Sequence, residues 1–363
     1  MLLLAMMAAL VSPTAMQEPV RGVPDEPDPT ALEVPAADNG SRLLIVPYPI
    51  VDPAIGNGLL LGPVWMRDGP RVGSQPGKPQ AYGAGAIWTD GGTRGGVVFD
   101  HRAWKGGAWR STAVAASLEV HFAYSGVLPN QEFGFVIDAT GGALSLERTL
   151  GEGPHGLNAS LFAAEADVSF DQLPPLPGEP DVGSSSLHGV QLGWTRDTRD
   201  NVFLPSDGTA ASVSLTVFPE ALGASFDAQS LSVKWTGYRP VGKGAIGLRA
   251  KVDQSLGDPP FFLRPYISFR GVAALRYAGE RVASIEAEYR HPINRHFDVL
   301  VFGGAGHAAA DFRGVDYDKS VTALGAGLRF KPAKLFGLTF GLDYAHGPDG
   351  GYGYVQIGNA WTN

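Results

Sequence analysis

Two-residue alternation of apolar and polar side chains recurs along most of this chain. In the run from Ile285 to Arg290, Ile285, Ala287 and Tyr289 hold one parity, and Glu286, Glu288 and Arg290 hold the other. Successive side chains of a strand point to opposite faces, so this segment has one apolar face and one fully charged face. A strand between two buried layers does not tolerate such a face, whereas a barrel wall with a wet interior does. The same pattern sets Val213, Leu215 and Val217 against Ser212, Ser214 and Thr216. It sets Leu231, Val233 and Trp235 against Ser232, Lys234 and Thr236, and Leu338, Phe340, Leu342 and Tyr344 against Thr339, Gly341 and Asp343. Earlier in the chain, Leu118, Val120 and Phe122 oppose Glu119 and His121, and Phe162, Ala166 and Val168 oppose Glu165 and Asp167.

About sixteen such segments can be marked, mostly near the ~10-residue length that crosses a bilayer at a tilt. An open sheet of that size curls or exposes its edges, and closure removes them. The expected fold is all-β: a transmembrane antiparallel β-barrel of about 16 strands, within a range of roughly 12 to 16. Mean hydropathy near zero fits, because polar lumen residues cancel apolar outer ones in any average. No cysteine is present, which excludes disulfides and thiolate metal sites. A formal charge of −8 argues against nucleic acid as a partner.

The first residues, MLLLAMMAALVSPTAM, form an apolar run too short to span a membrane as a helix and read as a signal peptide over 1–16. Residues 17–42, rich in Pro, Asp and Glu, read as a disordered periplasmic tail, leaving 43–363 for the barrel. The segment 43–50, interrupted by Pro47 and Pro49, is the poorest strand pattern. With Asp258–Glu280 as an outer loop, the connections at 105–108, 151–154, 237–243 and 292–295 fall on the periplasmic side and are short. Those at 171–185 and 307–320 fall on the outer side and are long, while 68–79 is a long exception on the periplasmic side. Trp65, Trp88, Trp104, Trp109, Trp194, Trp235, Tyr344 and Trp361 lie near strand ends, where interfacial girdles form.

Two motifs stand out. Asp197, Arg199 and Asp200 sit where a strand passes into a turn, followed by Pro205 and Gly208, residues suited to local backbone bonding and chain reversal. In the long outer loop, Phe269, Arg270, Gly271 and Val272 place a guanidinium on a sharply bent tip, where it can clamp lumen carboxylates by paired hydrogen bonds. The first motif resembles the D-T-R-D-x(4)-P-x-x-G turn, and the second the RG[FY] loop, of BamA/TamA-type outer-membrane barrels, the bacterial surface antigen superfamily. The resemblance implies that the loop folds into the lumen and its Arg docks on the inner wall. It also implies a Gram-negative outer-membrane location and a part in protein insertion or translocation.

This chain departs from that pattern in four places. Gly304 stands where the family carries an Asp two residues after Phe302, so Glu286, Glu288 and Asp343 become the candidate anchors for Arg270. Val272 replaces an aromatic residue, and the chain ends Trp361-Thr362-Asn363 and not on an aromatic. The stretch before Arg42 is too short for the POTRA domains that receive clients.

No G-x-S-x-G, P-loop or H-E-x-x-H occurs. No catalytic residue, cofactor or metal site is expected, and the chain is read as no enzyme. Expected partners are outer-membrane lipid and lipopolysaccharide, with other outer-membrane or periplasmic proteins. The alternative reading is a passive pore or structural surface barrel without insertase activity. A secreted, glycan-binding β-protein is a third.

Overall fold

The computed structural model describes residues 41–361 except 53, 73–74, 126–131, 152, 171–182, 313–314 and 333–338. The readings of 1–16 as signal peptide and of 17–42 as tail lie outside the described residues except at 41–42, where β1 already begins. Among the described residues, seventeen strands form one sheet. They are β1 (Ser41–Asp52), β2 (Gly56–Val72), β3 (Gln75–Thr89), β4 (Arg94–Trp104), β5 (Trp109–Ser125), β6 (Glu132–Thr149), β7 (His155–Phe170), β8 (Ser184–Ser186) and β9 (Gly189–Asp197). The second half holds β10 (Gly208–Phe218), β11 (Ala228–Val241), β12 (Gly244–Gly257), β13 (Arg281–Pro292), β14 (Phe297–Phe312), β15 (Val315–Phe330), β16 (Phe340–Gly347) and β17 (Gly350–Ile357). β8 and β9 both pair with β7 and are two pieces of one wall position, broken at Leu187 and His188. The wall therefore has sixteen positions, as the alternation implies.

Antiparallel pairing runs from each wall position to the next without a crossover. β1 and β17 are neighbours across the closure, but among the described residues no strand register joins them. Pro47 and Pro49 do not interrupt β1, which pairs with β2 in an unbroken register from Ser41 to Asp52. Two prolines at the same parity leave one edge of the strand short of two donors, and prolines are tolerated on edges. With β2 fully paired, that edge is the one turned to the seam.

One expected loop is absent. Residues 307–320 extend β14 and β15 as a hairpin, in register from Phe297↔Phe330 to Phe312↔Val315, with 313–314 outside the described residues. The 68–79 exception has the same cause, because β2 and β3 continue pairing to Val72↔Gln75.

The two faces separate as expected on β10–β16. Val213, Leu215, Leu231, Val233, Trp235, Ile285 and Leu342 are exposed on the outside, while Thr216, Ser230, Thr236, Glu286, Glu288, Arg290 and Asp343 are buried inside. On the outer halves of β5–β7 the apolar parity faces the other way. Leu118, Val120, Phe122, Phe135, Phe162 and Val168 are buried in the lumen, packed with Phe218 and with Phe262 and Leu263 of the long loop. Their polar neighbours face outward, where Arg94 pairs with Glu119 at 2.8 Å. The loop fills this end of the lumen with aromatic rings, Phe135 and Phe261 meeting at 5.2 Å, so the wall facing it must be apolar.

Trp104 is exposed at the periplasmic end of its strand, and Trp109 and Trp194 are half-buried there; Trp235 is exposed but lies in the middle of β11, which runs on to Val241, and Trp65 stacks on Tyr82 at 5.5 Å. Trp88 is exposed near the outer end. Trp361 does not belong to this girdle: it is buried inside the lumen.

Candidate functional site

The long loop between β12 and β13 enters the lumen as a small hairpin of its own. Tyr266 and Ala278 form an isolated bridge, the Ile267 N–H donates to the Tyr277 carbonyl at 3.0 Å, and the Gly279 N–H donates to the Pro265 carbonyl at 2.9 Å. Its base is tied to the β16–β17 turn, where Arg276 and the Tyr277 hydroxyl both donate to Asp349 at 3.0 Å. Below the base, Ile267, Phe269 and Val272 pack on Val282, Ala308, Val321 and Ala323. The aliphatic Val272 fits this pocket without an aromatic ring.

Arg270 is the deepest cation of the tip, and all of its donor groups find carboxylates. Nε donates to Glu286 Oε1 at 2.7 Å, Nη2 to Glu288 Oε2 at 2.8 Å, and Nη1 to Asp343 Oδ2 at 2.9 Å. Its guanidinium carbon lies 3.6 Å from the centre of the Phe302 ring, a close cation–π stack. Arg270 and its three partners are buried. The three candidate anchors left open by the sequence are thus brought together on one guanidinium.

Gly304 explains the missing Asp. A Cβ at that position would lie 2.8 Å from Cδ2 of Phe269, so the ring of the loop occupies the space an Asp would need. The negative charge instead comes from β13 and β16. Two more arginines balance it. Arg329 bonds Asp343 through both terminal nitrogens and reaches Gln356 of β17 at 3.1 Å, while Arg249 donates to the Ser268 carbonyl at 3.0 Å and lies 3.7 Å from Glu286. Three guanidinium groups and three carboxylates form a compensated buried network.

The last wall strand is connected to this network. Tyr354 of β17 accepts the Gly271 N–H at its hydroxyl, at 2.9 Å. Beyond β17 the chain turns inward, and the Trp361 indole N–H donates to Glu286 Oε2 at 2.6 Å. Asn359 donates to the Tyr238 hydroxyl at 2.7 Å, and the Trp361 and Tyr238 rings lie 5.7 Å apart.

The turn motif connects β9 to β10 and docks against the buried Arg290 of β13. Asp197 accepts from Arg199 Nη2 at 2.6 Å, and Asp200 accepts the N–H groups of Asn201 at 2.9 Å and Ser206 at 2.9 Å, and the Ser206 hydroxyl. Partial burial works against the Asp200 carboxylate, but the donors of Ser206, Asp207 and Asn201 outweigh it and hold its pKa below the usual range. Gly208 has φ +98, and a Cβ there would come within 2.2 Å of the Thr198 carbonyl oxygen. Buried Pro205 docks the turn on the wall, its carbonyl accepting from Arg290 Nη2 at 2.6 Å. Sequence reasoning passes over Phe302 and Arg329 and sends Trp361 to the wrong face. An inward parity at Arg329 and Asp343 was the only available signal.

A sequence model described as the Omp85 superfamily domain matches residues 156–269, from β7 through the turn motif to the residue before Arg270. No curated protein matches the sequence. Among solved structures, BamA from Haemophilus ducreyi lacking POTRA domains 1-3 is similar with a TM-score of 0.62 at 12% identity, over 88% of this chain and 69% of that one. CdiB from Escherichia coli gives 0.60 at 12% identity over 90% and 63%, and CdiB from Acinetobacter baumannii 0.56 at 12% over 88% and 60%. At this identity the likeness is one of fold, and the chain spans less than two thirds of either CdiB.

Proposed function

We propose that this chain is an Omp85-type β-barrel of the Gram-negative outer membrane that assists the insertion of proteins at that membrane through the seam between β1 and β17; the Omp85 match over 156–269 and the fold likeness to BamA support this reading. In this reading the Asp258–Glu280 loop is a plug that holds the lumen shut while the seam opens sideways. The observation that carries it is the link between plug and seam: Gly271 bonds Tyr354 of β17, and Arg270 and Trp361 share Glu286. Movement of β17 away from β1 therefore pulls on the same side chains that seat the loop. The seam is the weak point of the wall because β1 presents Pro47 and Pro49, and an edge without a full ladder is free to pair with an incoming strand.

Against a passive pore stand three sets of groups that project into the lumen: Phe262 and Leu263, the Arg270 network and the 198–207 turn. The test is reconstitution of the full chain in lipid vesicles with an unfolded outer-membrane protein as client. The rate at which the client acquires heat-modifiable mobility should exceed that in empty vesicles and change with Arg270→Ala or Tyr354→Phe. A client that folds no faster than in empty vesicles contradicts the proposal.

A further inference from the structure

On the outside of the wall, at the periplasmic ends of β4 and β5, Trp104, Lys105, Trp109 and Leu146 enclose a notch of about 260 Å³. We infer that this notch holds the phosphate headgroup of a phospholipid from the periplasmic leaflet. Trp104 and Trp109 face each other across the ladder, and the Trp104 indole N–H is taken up by the Ser111 hydroxyl at 3.0 Å. That bond fixes the ring and leaves its apolar face to the notch. On the adjacent strand Arg148 stands opposite Trp109, its guanidinium carbon 5.3 Å from the ring centre. Stacked in this way, a guanidinium keeps its N–H edge available to an anion.

Charge is what selects the occupant. Arg94, Arg102 and Arg110 on these strands are each paired with a carboxylate, on Glu119, Asp100 and Glu147. Among the described residues neither Lys105 nor Arg148 has one, and both are exposed. Lys105 is also held at φ +45 in the turn, a conformation that glycine adopts more easily. Two uncompensated cations beside two tryptophans at the membrane–water boundary match a phosphate above an acyl chain. Above the notch, Leu146 and Leu144 are exposed at the same parity and offer the chain a continuous apolar track.

The experiment is native mass spectrometry of the full chain in detergent, titrated with phosphatidylglycerol. The wild type should retain one lipid at low ratio. The Lys105→Ala/Arg148→Ala double variant should bind it about thirtyfold more weakly. Arg94→Ala, at the outer end of β4, should bind as the wild type does. Heat-modifiable mobility of each variant confirms that it is folded. Equal retention by the double variant overturns the inference. So does displacement of the lipid by millimolar inorganic phosphate, which would make the notch a site for free anions.

Discussion

The outer part of the lumen, under β5–β7, holds the loop by apolar packing alone, and the part lined by β13–β16 adds a charged clamp. Under β5–β7 the contact is apolar: Phe262 and Leu263 sit among Leu118, Val120, Phe122 and Phe135. Under β13–β16 the apolar packing of Ile267, Phe269 and Val272 is joined by a single guanidinium held by three carboxylates and a ring. Apolar packing is non-directional, so it sets how firmly the loop is held but little about where. The charged network is directional, and a displaced Arg270 takes from Glu288 its ion-pair partner and leaves Glu286 and Asp343 with one cation fewer. One region supplies adhesion, the other position.

That division can be broken by substitution. Arg270→Ala should have the largest effect, about 3–5 kcal/mol, because it leaves the carboxylates of Glu286, Glu288 and Asp343 without their shared cation. The midpoint of urea unfolding in vesicles measures it, and Arg270→Lys should fall between, keeping the charge but not the fork. Leu263→Ala should lose about 2–3 kcal/mol in the same assay, and Leu263→Met less than about 1.5 kcal/mol. If the Leu263 variant proved the more damaging, the assignment of position to the clamp would be reversed.

Gly208→Ala tests the turn between β9 and β10 that docks on Arg290. Its backbone strain should lower stability by about 1–3 kcal/mol without altering the loop. Asp200→Asn should have the smallest effect, a fraction of a kcal/mol in a partly solvated turn. Its sign with pH is fixed: a carboxylate with a depressed folded pKa stabilises above its unfolded value, near 3.9, and that contribution is lost as pH falls through the folded value. The difference between wild type and Asp200→Asn should therefore close below about pH 4.

Much of the wall was legible from parity alone, because each face of β10–β13 has a single character. Parity does not say which face turns inward, and on β5–β7 the answer depended on what fills the lumen at that height. The aromatic residues at 261 and 262 belong to a segment far away in sequence, so no local pattern carries that information. Arg270 and its three carboxylates were legible as candidates because charged residues at inward parity need partners. Trp361 was not. Near a strand end an indole suits a girdle, and only the inward turn after β17 brings its N–H to Glu286. Gly304 looked like a lost anchor, and its meaning appears only with the Phe269 ring above it.

The central claim is that the lumen is shut by the loop and that its seating depends on Arg270. Single-channel recording in planar bilayers tests this most directly. The wild type should show a closed baseline with rare, brief openings, and Arg270→Ala should show frequent or sustained ones. A steady open conductance in the wild type, unchanged by Arg270→Ala or by removal of the 258–280 loop, would contradict the account.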